Sequence, residues 1–225
     1  TNVTISGGTF AGNIYGGHGA TNKDASPNGV LFGNTNITIS GGIFNGNIYG
    51  GGYSDGCGKN IVENVTITVG TGSTVRNVIA GGHNAGSTVE NATVEIAGGT
   101  VQYSVYGGGN NAAVENATVI LSGGAVAGDV KAGNVAGSQS VGSAQVVFKG
   151  SAYTSVAGTV SGAGADRSTL VFDAFTGNLD LKVQGFTGVE VRSGSKVTFG
   201  DNVDLSTVNS LAITIDAAPA EALVS

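Results

Sequence analysis

Short runs in which apolar and polar residues alternate recur along the chain, and glycines separate them. The run Val94-Glu95-Ile96 is typical, and residues 3–5, 37–39 and 67–69 repeat its pattern. A period of two over β-branched residues indicates a strand with one buried face. No segment shows the sustained apolar spacing of an amphipathic helix. The pattern predicts an all-β chain with about three short strands in each repeat.

These runs belong to a longer repeat. Its cleanest copy covers residues 91–108, and a partial copy opens the chain. Two small-residue positions recur in every copy. The first position holds Gly7, Gly41, Thr71, Gly98 and Gly123. The second position holds Gly16, Gly50, Gly81, Gly107 and Ala132. The distance between the two positions hardly changes, so the copies differ in length mainly after the second one.

A repeat of this length predicts a parallel β-helix, or β-solenoid, with about 25 residues per rung in its regular part. Equivalent apolar residues should then stack into interior columns, because rungs lie at the strand spacing of ~4.8 Å. The first predicted column is Val3, Ile37, Ile67, Val94 and Val119. The second is Ile5, Ile39, Val69, Ile96 and Leu121. The third is Ile14, Ile48, Ile79, Val105 and Val130.

The regular glycine-rich repeats span residues 1–160. From there the chain has fewer glycines, but strand-like alternation continues, so residues 161–225 are predicted to form a divergent continuation of the β-helix. Two runs in this part are Phe186-Thr187-Gly188-Val189-Glu190-Val191 and Ser195-Lys196-Val197-Thr198-Phe199.

These runs, together with the glycine-rich, threonine-rich rungs before them, resemble the passenger regions of autotransporters and related bacterial surface adhesins. The resemblance implies a right-handed β-helix that is displayed outside the cell as a stalk. The resemblance covers most of the chain, and it lies in the general residue pattern of the rungs rather than in a diagnostic motif. The membrane-inserted barrel of that family is absent from this sequence.

The composition argues against several classes of partner. The net charge is −6 and only 11% of residues are charged. An acidic surface that is poor in Lys and Arg argues against nucleic acid and anionic membranes as partners. No apolar stretch approaches the ~18 residues that span a bilayer as a helix. The chain has no Met and no leader pattern, which indicates a mature product or an excised fragment.

An asparagine recurs just before one strand of each copy. Because its amide both donates and accepts hydrogen bonds, stacking predicts a structural ladder at a corner of the rung. The predicted members are Asn34, Asn64, Asn91 and Asn116. Several of these residues also begin Asn-x-Thr glycosylation acceptors, but recurrence within a repeat accounts for the motif without a glycan.

A glutamate precedes three of these asparagines. Glu63, Glu90 and Glu115 would stack at ~5 Å and repel one another. A bound Ca²⁺ would relieve the repulsion, and so would splayed, solvated side chains. The sequence offers Ca²⁺ as a possible ligand and implies no other cofactor.

Three tyrosines lie beside the second small-residue position. Tyr15, Tyr49 and Tyr106 form an interrupted column, with Ala80 and Lys131 in the gaps. Such a column could stack on sugar rings or pack on itself. The same alignment places His18 and His83 at equivalent positions two rungs apart, which is too far for a shared metal ion.

The first two copies carry long insertions, residues 19–29 and 54–60. Solenoids place such insertions on one face, often the binding face. These two insertions concentrate charge in a charge-poor chain, and their candidate binding residues are Lys23, Asp24, Asp55 and Lys59. The alternative is a neutral surface loop.

No Ser/His/Asp set, clustered carboxylates or phosphate loop stands out, so we expect no enzymatic activity. The leading hypothesis is an extracellular structural stalk or adhesin segment of a bacterial surface protein. Its partner would be a glycan or protein on a host or neighbouring cell. The alternatives are a carbohydrate-binding β-helix and, less favoured, a β-helix glycan lyase or hydrolase.

Overall fold

The computed structural model describes residues 1–20, 30–54, 60–135, 139, 141–151 and 154–214. These residues form β-strands, turns and bends, with no helix among them. Every strand pairing between them is parallel, and each pairing joins one rung to the next. The predicted all-β parallel β-helix is therefore confirmed.

The larger sheet runs the length of the described chain. Its main path is β1 (Asn2–Phe10), β4 (Val30–Phe44), β7 (Asn60–Val69), β10 (Ser87–Val101), β12 (Ala113–Val126), β14 (Val141–Lys149), β17 (Ala165–Asp173), β20 (Gly188–Val191) and β22 (Ser210–Ile213). Two short strands extend it, β8 (Ser73–Val75) and β15 (Ser155–Val156). The sheet continues across residue 160, because β17 pairs with β14.

A second sheet forms another face of the solenoid. It contains β2 (Ile14–Tyr15), β5 (Ile48–Tyr49), β9 (Val78–Ile79), β11 (Val105–Tyr106), β13 (Val130–Lys131), β16 (Thr159–Ser161) and β19 (Lys182–Gln184). Two small sheets pair β3 (Gly19–Ala20) with β6 (Tyr53–Ser54), and β18 (Thr176–Leu179) with β21 (Lys196–Phe199).

The first two predicted columns are confirmed. In the first, Ile67 pairs with Ile37 on one side and Val94 on the other, and Val94 pairs in turn with Val119. The second column is Ile5, Ile39, Val69, Ile96 and Leu121. From the second rung onward these side chains are buried. No rung covers its own apolar face, so the core exists only because the rungs stack.

The third predicted column was wrong by one residue. Ile48 pairs with Val78, and Val78 with Val105, so Val78 rather than Ile79 belongs to the interior. This rung carries one extra residue between Val69 and Ser73, because Ser73 pairs with Gly42, and one residue fewer between Val75 and Val78. The two changes cancel over the rung. The error came from matching Gly50 with Gly81, whereas Ala80 is its counterpart.

The expectation of three short strands per repeat was also wrong. Two of the predicted strands are joined, so that β10 runs through both the asparagine corner and the first glycine position. At the corner the ladder persists, because Val89 and Asn91 pair with Val114 and Asn116. At the glycine position the strand bulges, and Gly99 there has a φ of 67°, which favours glycine.

Candidate functional site

An asparagine ladder runs along the exposed corner of the larger sheet. Asn64 Nδ2 donates to Asn34 Oδ1 at 2.8 Å, and Asn91 Nδ2 donates to Asn64 Oδ1 at 3.1 Å. Asn116 continues the ladder to Asn91 at 3.1 Å. Each inner amide therefore donates to one rung and accepts from the other, which uses both halves of the group.

A second polar ladder, which the sequence analysis missed, lies just before the second sheet. Asn77 Nδ2 donates to Asn47 Oδ1 at 2.9 Å, and Asn13 Oδ1 accepts from the Asn47 backbone N–H. Ser104 and Asp129 take the same role in later rungs. The available signal was an Asn directly before the Ile or Val that opens β2, β5 and β9.

The three glutamates lie at the asparagine corner. Glu63 is half-buried, and Glu90 and Glu115 are exposed. Among the described residues, no group of three or more His, Cys, Asp or Glu side chains could hold a metal ion. The structure thus does not bring these carboxylates together as a Ca²⁺ site.

The tyrosine column faces outward from the second sheet. Tyr15 and Tyr49 stack with ring centroids 5.0 Å apart and an interplanar angle of 8°. The next member is Ile79, not Ala80, as the shift in that rung requires. Tyr106 follows, and the Lys131 ammonium lies 5.7 Å from its ring centroid. Tyr49 is only 2% exposed, so it cannot offer a face to a ligand.

A neighbouring column brings two further rings onto this surface. Gly19 pairs with Tyr53, Tyr53 with His83, and His83 with Asn110. The His83 ring stacks on Tyr53 at 5.4 Å with an interplanar angle of 23°. The two columns meet edge to face, Tyr15 against Tyr53 at 5.9 Å and Tyr49 against His83 at 5.3 Å. We call Tyr15, Tyr49, Tyr53 and His83 the aromatic cluster.

The predicted equivalence of His18 and His83 was wrong. Gly19, not His18, lies level with Tyr53 and hence with His83. The cause is again the match of Gly81 with Gly50, since counting from Gly81 displaces His83 by one position. In the correct register His83 is not the counterpart of His18, and its ring stacks on Tyr53.

The tyrosine hydroxyls and the His83 ring nitrogen of the aromatic cluster differ in their hydrogen bonding. Asn13 Nδ2 donates to Tyr15 Oη at 3.1 Å, and Asn47 Nδ2 donates to Tyr49 Oη at 3.2 Å. Burial raises the pKa of Tyr15, and the Asn13 hydrogen bond opposes the shift. Burial lowers the pKa of His83, whose Nδ1 is buried without a hydrogen-bond partner among the described residues.

The four predicted charged binding residues, Lys23, Asp24, Asp55 and Lys59, lie outside the described residues. Their two segments follow β3 and β6, and these strands pair through Gly19 with Tyr53 and Ala20 with Ser54. The chain therefore leaves the described structure at two adjacent points, both beside the aromatic cluster.

An apolar pocket of about 690 Å³ opens at the edge of the last described rung. Val189, Phe199 and Leu211 are among its lining residues, and Leu211 is 65% exposed. Its walls continue the interior columns, because Leu211 pairs with Val189 in the larger sheet. Within the described residues, the pocket thus lies at the end of the stacked core.

Within the described part of the chain, no helix is long and apolar enough to cross a membrane. No protein-family model, curated protein or solved structure matches this sequence. Function must therefore be inferred from the residues and their geometry.

Proposed function

We propose that this chain is an extracellular rod, a non-catalytic stalk or adhesin segment of a bacterial surface protein. The observation that carries the proposal is the unbroken stacking of parallel rungs, in which both the interior columns and the asparagine ladder pass from rung to rung. A quasi-one-dimensional stack of this kind gives length and stiffness in proportion to the number of rungs.

The surface chemistry supports the same role. The chain is acidic and poor in Lys and Arg, which disfavours nucleic-acid partners. Its glycine-rich and threonine-rich rungs resemble autotransporter passengers and related adhesins, and from that resemblance we infer display on the bacterial surface. The partner would be a glycan or protein on a host or neighbouring cell.

A glycan lyase or hydrolase is the weaker candidate. Glycan hydrolysis by paired carboxylates requires two carboxyl groups that face the substrate. One acts as the general acid and the other as the base or nucleophile. Two described carboxylates, Asp173 and Glu190, both contact Arg192, at 4.0 Å and 2.8 Å. Charge compensation within the sheet accounts for this arrangement.

The test is surface display. The chain is placed between a bacterial outer-membrane anchor and an epitope tag, and cells are compared with a matched display that lacks it. We expect greater antibody access to the tag, and small-angle scattering of the purified protein should show an elongated particle. Release of sugar fragments from pectin or host glycans, or a compact scattering profile, would contradict the proposal.

A further inference from the structure

We propose that the aromatic cluster binds a neutral glycan, with one sugar ring seated on the open face of Tyr53. The inference extends the proposed function by naming a partner for an adhesin segment. The inference rests on the proposed function only for the place where a glycan would be met. The site itself depends on contacts within the described rungs.

The site exists because one aromatic column stops at a glycine. Tyr53 has the His83 ring stacked on one face, and on the other side its neighbour in the column is Gly19. A Cβ added at Gly19 would meet no atom of the described residues within 4 Å. We call this open space the Gly19 gap. Its boundary includes the Tyr53 ring and, near it, the Tyr15 ring, which meets Tyr53 edge to face.

Hydrogen-bonding groups accompany the apolar face. The Tyr15 hydroxyl accepts a hydrogen bond from Asn13, which leaves its own proton available to donate. Tyr53 is half-buried, and its hydroxyl is not among the buried polar atoms that lack a hydrogen-bond partner. An aromatic ring with a polar tip suits a ligand that combines an apolar face with hydroxyl groups, which is the chemistry of a pyranose ring.

Charge favours an uncharged saccharide over an acidic one. The pKa of His83 is lowered by burial alone, and the pKa of Tyr15 responds to burial, Asn13 and the neighbouring tyrosines. No described carboxylate, Lys or Arg contributes to either shift. Among the described residues of the cluster, a sialylated or sulfated glycan would find no cation, whereas a neutral sugar needs none.

The contrast with Tyr106 supplies a matched control. Tyr106 also faces outward from the second sheet, but Lys131 lies against its ring, and its column continues on both sides. Tyr106 therefore has no counterpart of the Gly19 gap. Its removal should not affect a ligand that is seated on Tyr53.

The experiment has two stages. Purified protein is first applied to an array of neutral, sialylated and sulfated glycans, and then titrated calorimetrically with cellohexaose, chitohexaose, maltohexaose and the strongest neutral array ligand. The variants are Tyr53→Ala, Gly19→Phe and Tyr106→Ala. Gly19→Phe fills the gap with a ring that continues the Tyr53 stack, and the backbone there is not left-handed, so this variant should fold normally.

We expect binding of at least one neutral glycan, a loss of ten-fold or more in affinity for Tyr53→Ala and Gly19→Phe, and affinity within two-fold of the parent for Tyr106→Ala. Unchanged melting temperature in Gly19→Phe separates blocked binding from lost structure. Binding only to charged glycans, no glycan binding at all, or retention of affinity in Gly19→Phe would overturn the proposal. Each of these results leaves the scattering and display tests of the rod untouched, so the two proposals fail separately.

Discussion

Gly50 and Val65 face each other across the interior, and their sizes should be energetically coupled. A Cβ at Gly50 would overlap Cγ1 of Val65 and approach the Ala80 carbonyl oxygen to 2.5 Å. The next rung carries Ala80 and Ala92 in the same two columns. Both of those alanines are buried. The two rungs therefore fill the same interior space with different pairs of side chains. One rung uses Gly with Val, and the next uses Ala with Ala.

We expect Gly50→Ala to lower the free energy of unfolding by about 1–3 kcal/mol through overpacking. Val65→Ala removes two buried methyl groups at about 0.8 kcal/mol each, and a small residual cavity brings its cost to about 2 kcal/mol. In the double variant the new methyl group occupies the space that Val65 vacates, although its close approach to the Ala80 carbonyl oxygen remains. The double variant should therefore cost less than the sum of the two single variants, with a coupling energy of about 1 kcal/mol.

The assay is urea unfolding followed by circular dichroism and tyrosine fluorescence, with coincident transitions required before a single free energy is assigned. Gly7→Ala is the matched control, because a Cβ there meets nothing within 4 Å and the change should stay within about 0.5 kcal/mol. If the costs of Gly50→Ala and Val65→Ala simply add to within about 0.5 kcal/mol, the two positions do not share space and the assigned packing is wrong.

Three further predictions follow from the ladders and the cluster. Asn91→Ala should cost about 1–2 kcal/mol in urea unfolding, because it removes two amide hydrogen bonds; no measurable cost would exclude an energetic role for the ladder. The pKa of folded His83 lies below the 6.5 of the unfolded chain, so its contribution to stability is complete above that pH and declines as the pH falls below it. The melting temperature should therefore drop on acidification, and His83→Phe should reduce the drop; an equal drop in both proteins would refute this. Deletion of residues 91–115 removes one complete rung and should shorten the rod by about 4.8 Å with β-structure retained; an unfolded product by circular dichroism would argue against modular rungs.

The interior columns were predictable because each depends on a local pattern. Val94 and Ile96 alternate with polar neighbours, and the same alternation recurs at a shared distance from the first glycine position. Parallel stacking then aligns equivalent residues without further information. The side-chain hydrogen bonds of Asn64 and Asn91 follow from the same recurrence.

The aromatic cluster could not be predicted in the same way. Tyr53 and His83 meet only in the true register, in which Ile48 pairs with Val78 and Ala80 rather than Gly81 is the counterpart of Gly50. Residue types do not reveal such a shift, because Ile79 suits an interior column as well as Val78 does. The gap above Gly19 was also hidden, since a glycine among many glycines carries no signal of open space.

The shifted rung has a consequence for how such a chain can change over generations. Unequal crossing-over between repeats that joins equivalent corner positions, such as Asn64 and Asn91, adds or removes a whole rung and keeps every face in place. An exchange at Val75, which pairs with Val101 of the next rung, would separate the insertion from the deletion. Each turn absorbs its own change of length, because Val75 and Val78 both stay in register with the neighbouring rungs. Viable recombinants should therefore be able to inherit either change without the other.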